Sequence, residues 1–170
     1  MSIKESKILR KTVLCGILSS IGVILSVVSI PLGPTKCYPF QHTINVISGI
    51  LLGPFWAIGT AFTTSLIRNM LGTGSLFAFP GSMFGAFFVG LVSLFLPQNR
   101  KIYSAIAEPI GTGLVGAWVS SLIIAPILGT NVAFSFLSTS FLVSSIPGTI
   151  LGILVTYTLV KRTTLTDSFI

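Results

Sequence analysis

Gln41, His42 and Asn45 lie within a single helical turn in the stretch Lys36-Cys37-Tyr38-Pro39-Phe40-Gln41-His42-Thr43-Ile44-Asn45. Gln41 and Asn45 are four apart and share a helix face, and His42 adds an imidazole, neutral or cationic near neutral pH. Such a set offers donors, acceptors and a ring to a small polar ligand. The plainer reading is a helix start at an interface, with polar residues capping it.

A second polar stretch runs Arg68-Asn69-Met70-Leu71-Gly72-Thr73-Gly74-Ser75-Leu76-Phe77-Ala78-Phe79-Pro80-Gly81-Ser82-Met83. Its glycines permit non-helical backbone, whose free N–H and C=O groups must face protein or a wet cavity. Phe77, Phe79 and Met83 are suited to wall an aromatic ligand, with Ser82 or Thr73 as the hydrogen-bonding group. The plainer reading is a surface loop with Arg68 snorkelling to an interface.

The remaining ionisable chemistry is sparse. There is one histidine and there are three acids, Glu5, Glu108 and Asp167, of which only Glu108 lies within the apolar body. Two geometries are open to it. If its helix starts near Ile102, Glu108 is about 10 Å into the core and must face the interior. If the helix starts at Pro109, Glu108 caps it, favoured by the helix dipole and by Arg100 or Lys101. The buried geometry is the expectation adopted. Trp118 suits a core, an interfacial belt or a ligand stack.

An enzyme is hard to build from this inventory. Gly72-Thr73-Gly74-Ser75 lacks the lysine of a phosphate loop, and no Cys, His or carboxylate group has metal-ligand spacing, so neither a catalytic set nor a metal site is expected. Any uphill work must draw on a partner or an ion gradient.

The elements that hold these residues are set by composition. The 170 residues are 52% hydrophobic and 8% charged, too little polar surface to cover a soluble globule. The apolar runs are long and non-alternating, which predicts membrane-spanning helices rather than barrel strands. Six are expected, at about 12–30, 42–52, 55–70, 81–96, 102–128 and 137–160, forming one all-α membrane domain over 1–170. The segment 12–30 is read as a retained span, not a signal peptide. The helix at 42–52 is about 17 Å long, so it must extend into Pro39-Phe40-Gln41 or be sheltered by its neighbours.

The formal charge of +7 does not indicate nucleic acid, because the basic residues cap apolar runs and form no stripe interleaved with aromatics. Lys4, Lys7, Arg10, Lys11, Arg100, Lys101, Lys161 and Arg162 all fall on one side of a six-span threading, which predicts cytoplasmic amino and carboxyl termini. Small residues four apart should mediate helix contacts: Gly81/Gly85, Thr112/Gly116, Gly148/Gly152 and, on the first helix, Cys15/Ser19 and Gly16/Ser20. The first-helix pairs are equally suited to another membrane protein. Around Pro147, Ser144, Ser145 and Thr149 either satisfy the carbonyls freed by the proline or line a cavity.

Taken in order, Gly33-Pro34 through Gln41-His42 with Asn45-Val46, Leu51-Leu52-Gly53-Pro54, Arg68-Asn69 with Gly72-Thr73-Gly74, Ala78-Phe79-Pro80-Gly81-Ser82-Met83, and Glu108 with Gly111-Thr112-Gly113 carry a resemblance. The chain resembles the ThiW family, substrate-binding S components of energy-coupling factor (ECF) vitamin transporters. The resemblance covers nearly the whole chain. It implies an ECF S-component-like bundle in the plasma membrane of a prokaryote that captures a thiamine precursor, hydroxyethylthiazole first among the candidates, from outside.

It further implies a transmembrane coupling protein and two cytoplasmic ATPases that use the ATP, with no cofactor in this chain, and toppling of the S component in the membrane. Gln41, His42, Asn45, Phe79, Ser82, Met83, Glu108 and Trp118 are the expected ligand contacts. Cys15, Gly16, Ser19 and Ser20 are the expected coupling-protein face, with alanine more usual there. Two alternatives stand beside this reading: an ion-coupled carrier using Glu108, and an S component for thiamine or its pyrimidine precursor.

Overall fold

A computed structural model of the chain describes residues 3–32 and 35–162. Gly33, Pro34 and Asp167, used in the sequence reading, lie outside them, as do the side chains of Lys161 and Arg162. The described residues form long helices and one short β-ribbon: α1 (Ile3–Leu25), β1 (Ile30–Leu32), β2 (Thr35–Cys37), α2 (Pro39–Leu52), α3 (Pro54–Met70), α4 (Ala78–Phe95), α5 (Gln98–Ile127) and α6 (Phe134–Arg162).

The first helix departs from its expected bounds at both ends. It begins at Ile3, because Lys4 to Lys11 contain no helix breaker, and it stops at Leu25. The chain leaves the helix through a turn at Ser26 and Val27, and β-branched Ile30, placed before Pro31, then favours extended backbone. Ile30–Leu32 pairs antiparallel with Thr35–Cys37 in the register Ile30↔Cys37, Pro31↔Lys36 and Leu32↔Thr35. A ribbon thus stands where the sequence suggested the end of a helix and a loop.

Pro39 opens α2, where its missing N–H costs nothing. At 14 residues the helix is about 21 Å long. It packs against every other helix, and all residues from Gln41 to Ile50 are buried. Both expected remedies for its shortness, an earlier start and shelter by neighbours, are present together. Gly53, at φ 84°, turns the chain directly into α3, which starts on Pro54.

The helix α5 is irregular. It opens as 3₁₀ from Gln98 to Ile106, passes through a short α turn containing Glu108 and Pro109, and widens to π geometry at Gly111–Gly116 and Ser120–Ile124. Pro109 removes one N–H from the ladder, and the ladder shifts register around it. Because the helix already runs from Gln98, Glu108 lies well inside it, and the side chain is fully buried.

The glycines set how closely the helices approach. A Cβ on Gly148 of α6 would meet the Pro39 carbonyl and lie 2.7 Å from His42 Cβ, so α6 lies directly on α2 there. A Cβ on Gly85 of α4 would meet the Thr112 hydroxyl and lie 2.6 Å from Glu108 Oε1. This glycine is the space into which the buried carboxylate fits.

The polar and apolar residues are inverted relative to a water-soluble fold. Phe55, Phe95, Val27 and Ile127 are largely exposed, while Ser48, Thr60, Thr64, Arg68, Glu108 and Thr112 are fully buried. Four helical stretches, Glu5–Leu25, Ala78–Phe95, Gln98–Ile127 and Phe134–Leu159, are long and apolar enough to cross a membrane. The outward apolar side chains suit lipid as solvent, and the protein is an all-α membrane protein.

Gly148→Ala is expected to push α6 off α2 and cost about 1–3 kcal/mol, read as a lower thermal midpoint in detergent. Gly16, whose Cβ position meets nothing within 4 Å, is the matched control. Gly16→Ala should leave the midpoint unchanged or raise it.

Candidate functional site

Glu108 is held by donors from three helices. His42 Nδ1 donates to Oε1 at 2.6 Å, Asn45 Nδ2 at 3.1 Å and Thr112 Oγ1 at 3.0 Å, while Thr149 Oγ1 donates to Oε2 at 3.4 Å. Thr112 is one turn after Glu108 on α5, so this contact is local. The others come from α2 and α6 and exist only in the packed bundle. A charge this deep is costly unless it is hydrogen-bonded, and here both carboxylate oxygens accept.

A directed chain of hydrogen bonds leads away from the carboxylate. Asn45 Nδ2 donates to Glu108, Ser82 Oγ donates to Asn45 Oδ1 at 3.0 Å, Gln41 Nε2 donates to Ser82 Oγ at 2.9 Å, and Arg68 Nη1 donates to Gln41 Oε1 at 2.8 Å. Every donor points from the cation towards the anion. The terminal charges fix both amide orientations, because Arg68 can only donate and an ionised Glu108 can only accept. Bonds aligned this way polarise one another.

Arg68 is the residue that sequence reasoning misplaced. The plainer of the two sequence readings had it snorkel from a surface loop; it is instead fully buried near the end of α3, its guanidinium 3.6 Å over the Tyr38 ring. Desolvated cation–π contact of this kind is worth about 2 kcal/mol. Nε and Nη2 have no hydrogen-bond partner among the described residues. The signal available in the sequence was a lone arginine at the end of an apolar helix with no nearby acid, which also fits the snorkelling reading.

Tyr38 closes the site from above. Its N–H donates to Ser144 Oγ at 2.7 Å, and its hydroxyl donates to the Thr73 carbonyl. Cys37 Sγ donates to the Ser140 carbonyl at 3.5 Å, and burial pushes the thiol pKa up. The ribbon is thereby fastened to α6 and to the loop after α3. Around Pro147, Ser144 and Thr149 serve the site, and Thr43 Oγ1 supplies a donor to the Gly148 carbonyl at 3.0 Å.

Beneath the ribbon lies a cavity of about 30 Å³, bounded by Tyr38, Gln41, His42, Arg68, Phe77 and Phe141 among others. That is room for about two waters, far below the roughly 300–1,000 Å³ of small-molecule pockets. A ring enters a cavity of this size only if the ribbon or a wall moves.

The structure brings Gln41, His42, Asn45, Ser82 and Glu108 into one network. It places the other three expected contacts elsewhere. Phe79 packs on Phe62 with ring centroids 5.7 Å apart. Met83 lines a separate apolar groove of about 450 Å³ with Phe84 and Phe87. Trp118 is 58% exposed on the outside of α5. This exposure fits the interfacial-belt reading of Trp118 rather than a ligand stack.

The four first-helix residues divide between two faces. Cys15 and Ser19 turn inward, where Thr60 Oγ1 donates to Cys15 Sγ at 3.2 Å and Ser19 Oγ donates to the Thr60 carbonyl at 3.3 Å. Gly16 and Ser20 face outward. Among the described residues no group of three or more His, Cys, Asp or Glu could hold a metal ion.

Removing the Glu108 charge should leave His42 and Asn45 facing a poorer acceptor. Glu108→Gln is expected to cost about 3–5 kcal/mol, seen as a large drop in thermal midpoint. Cys37, 1% exposed, reports on the ribbon: in a Cys15→Ser background, an impermeant maleimide should label it slowly, and a destabilised ribbon, as in Tyr38→Ala, should speed labelling.

The family model described as thiamine-precursor transporter protein (ThiW) matches residues 12–162. No curated protein and no solved structure matches the chain. The matched span contains every member of the Glu108 network and the whole of the ribbon and cavity, and on that extent the chain belongs to the ThiW family of thiamine-precursor transporters.

Proposed function

We propose that the chain is the substrate-capture subunit of an ATP-driven ECF importer and that its ligand is the thiazole precursor of thiamine, hydroxyethylthiazole. The observation that carries this reading is the cavity under the ribbon, where the rings of Phe77, Phe141 and Tyr38 stand beside the hydrogen-bonding groups of Gln41, His42 and Ser82. A small heteroaromatic alcohol needs both kinds of surface: flat apolar walls for the ring and a few convergent polar groups for orientation.

In this reading six helices cross the plasma membrane of a prokaryote, and the ribbon faces outside as the lid. Both termini lie in the cytoplasm with Lys11, Arg100 and Lys101, as the positive-inside rule favours. The short α2 is buried among its neighbours from Gln41 to Ile50, which lets a 14-residue helix belong to a spanning bundle. Power comes from two ATPases through a coupling protein, since the chain has no phosphate loop of its own. Gly16 and Ser20, outward on α1, are the close-approach surface for that coupling protein.

A second reading has its own observation. The 2.6 Å contact between His42 and Glu108 is the type of buried acid–base pair that carries protons in ion-coupled carriers. Such a carrier drives uptake alone in vesicles under an ion gradient, and Glu108→Gln abolishes it. The ECF reading expects no accumulation until the coupling protein, the ATPases and ATP are supplied.

Calorimetric titration of the purified chain with hydroxyethylthiazole, the pyrimidine precursor and thiamine tests the ligand. Kd at or below about 1 µM, roughly 8 kcal/mol of binding, is expected for the thiazole, with the other two weaker. Absence of binding by all three at that level removes the reading.

A further inference from the structure

The charge distribution at the cavity is one-sided. Arg68 and Lys36 both border it, and no carboxylate does. Arg68 is fully buried, and two of its three guanidinium nitrogens, Nε and Nη2, have no hydrogen-bond partner among the described residues. The Tyr38 ring occupies one face of the guanidinium, and Gln41 takes Nη1. What is left over is one edge of the fork, Nε with Nη2, the edge that receives the two oxygens of a carboxylate or phosphate.

The acid within the bundle does not supply those oxygens. Glu108 is the fully buried acid, and its oxygens already accept from His42, Asn45, Thr112 and Thr149. Glu108 reaches Arg68 only through the relay of Asn45, Ser82 and Gln41. An uncompensated buried cation is among the most costly features a fold can carry, and unsatisfied N–H groups add to the cost. Phe77 and Phe141 bound the same cavity and offer apolar surface for a ring.

We infer that Arg68, assisted by Lys36, is an oxyanion site, and that the ligand class is a small heteroaromatic ring bearing a carboxylate or phosphate monoester. This rests on the thiazole reading above and sharpens it: the preferred ligand is an anionic derivative rather than the free alcohol. Arg68 takes the oxyanion through Nε and Nη2, the ring lies against Phe77 and Phe141, and Lys36 on β2 adds a second positive charge from the ribbon. The ligand thereby supplies what the apoprotein lacks at this point, two acceptors and a negative charge.

The test compares three probes on the purified full chain: hydroxyethylthiazole, its phosphate ester, and the acid in which the hydroxymethyl carbon is oxidised to carboxylate. At least one anion should bind about tenfold or more tightly than the alcohol, and its affinity should fall with added salt. Arg68→Gln should erase that advantage, weakening the anion at least about tenfold more than it weakens the alcohol. Should that variant not fold, Lys36→Gln at an exposed position should weaken the anion by roughly threefold and leave the alcohol unchanged.

Alcohol binding equal to or tighter than both anions overturns the oxyanion site and leaves the thiazole reading standing. An anion advantage untouched by both substitutions also overturns it. Failure of all three probes to bind removes both readings together.

Discussion

A carboxylate in the middle of an apolar bundle is the constraint on which the rest of this structure depends. Glu108 is fully buried, and a charge there is tolerated only where its oxygens are met by donors in good geometry. The bundle meets that demand with groups from α2, α5 and α6 and with the absence of a side chain at Gly85 on α4. Four helices are thus fixed relative to one another by a single acid. Lipid gives no hydrophobic drive for helices to associate, so close packing at glycine and a satisfied polar centre carry the association.

The same acid orients groups it never touches. Asn45 must present its amide N–H₂ to Glu108, which turns Oδ1 towards the Ser82 hydroxyl, and that hydroxyl in turn accepts from Gln41. Gln41 is left with its carbonyl facing Arg68. A cation at the cavity and an anion beneath it define one polarity for four hydrogen bonds, so the side chains of Gln41, Ser82 and Asn45 are held in fixed orientations. Preorganisation of this kind lowers the cost of ordering a site on binding.

The ribbon gives the site its outer boundary. It is short, and it is fastened by Tyr38 to Ser144 and Thr73 and by Cys37 to Ser140. Among the described residues, these contacts hold the ribbon to α6 and to the loop after α3. Membership of the ThiW family makes the chain a thiamine-precursor transporter, and a transporter's site must open to one side and then the other. At about 30 Å³ the cavity under the ribbon is too small for a ring unless the ribbon or a wall moves.

Much of this protein was legible from residue order. Hydropathy and the distribution of lysine and arginine identified a helical membrane protein, because the bilayer permits few backbone solutions and makes charge expensive. The closeness of Gln41, His42 and Asn45 followed from helical periodicity, and the packing role of Gly85, Gly116, Gly148 and Gly152 followed from their spacing. Tertiary structure alone decided which distant residues meet. Glu108 joins His42 across 66 positions, Arg68 joins Gln41 across 27, and Tyr38 joins Ser144 across 106. Nothing local encodes such pairings, because they depend on how close glycine lets the helices come. The inward turn of Arg68 escaped the sequence because whether an arginine at a helix end reaches water or is buried is settled by its neighbours, here Tyr38 and Gln41.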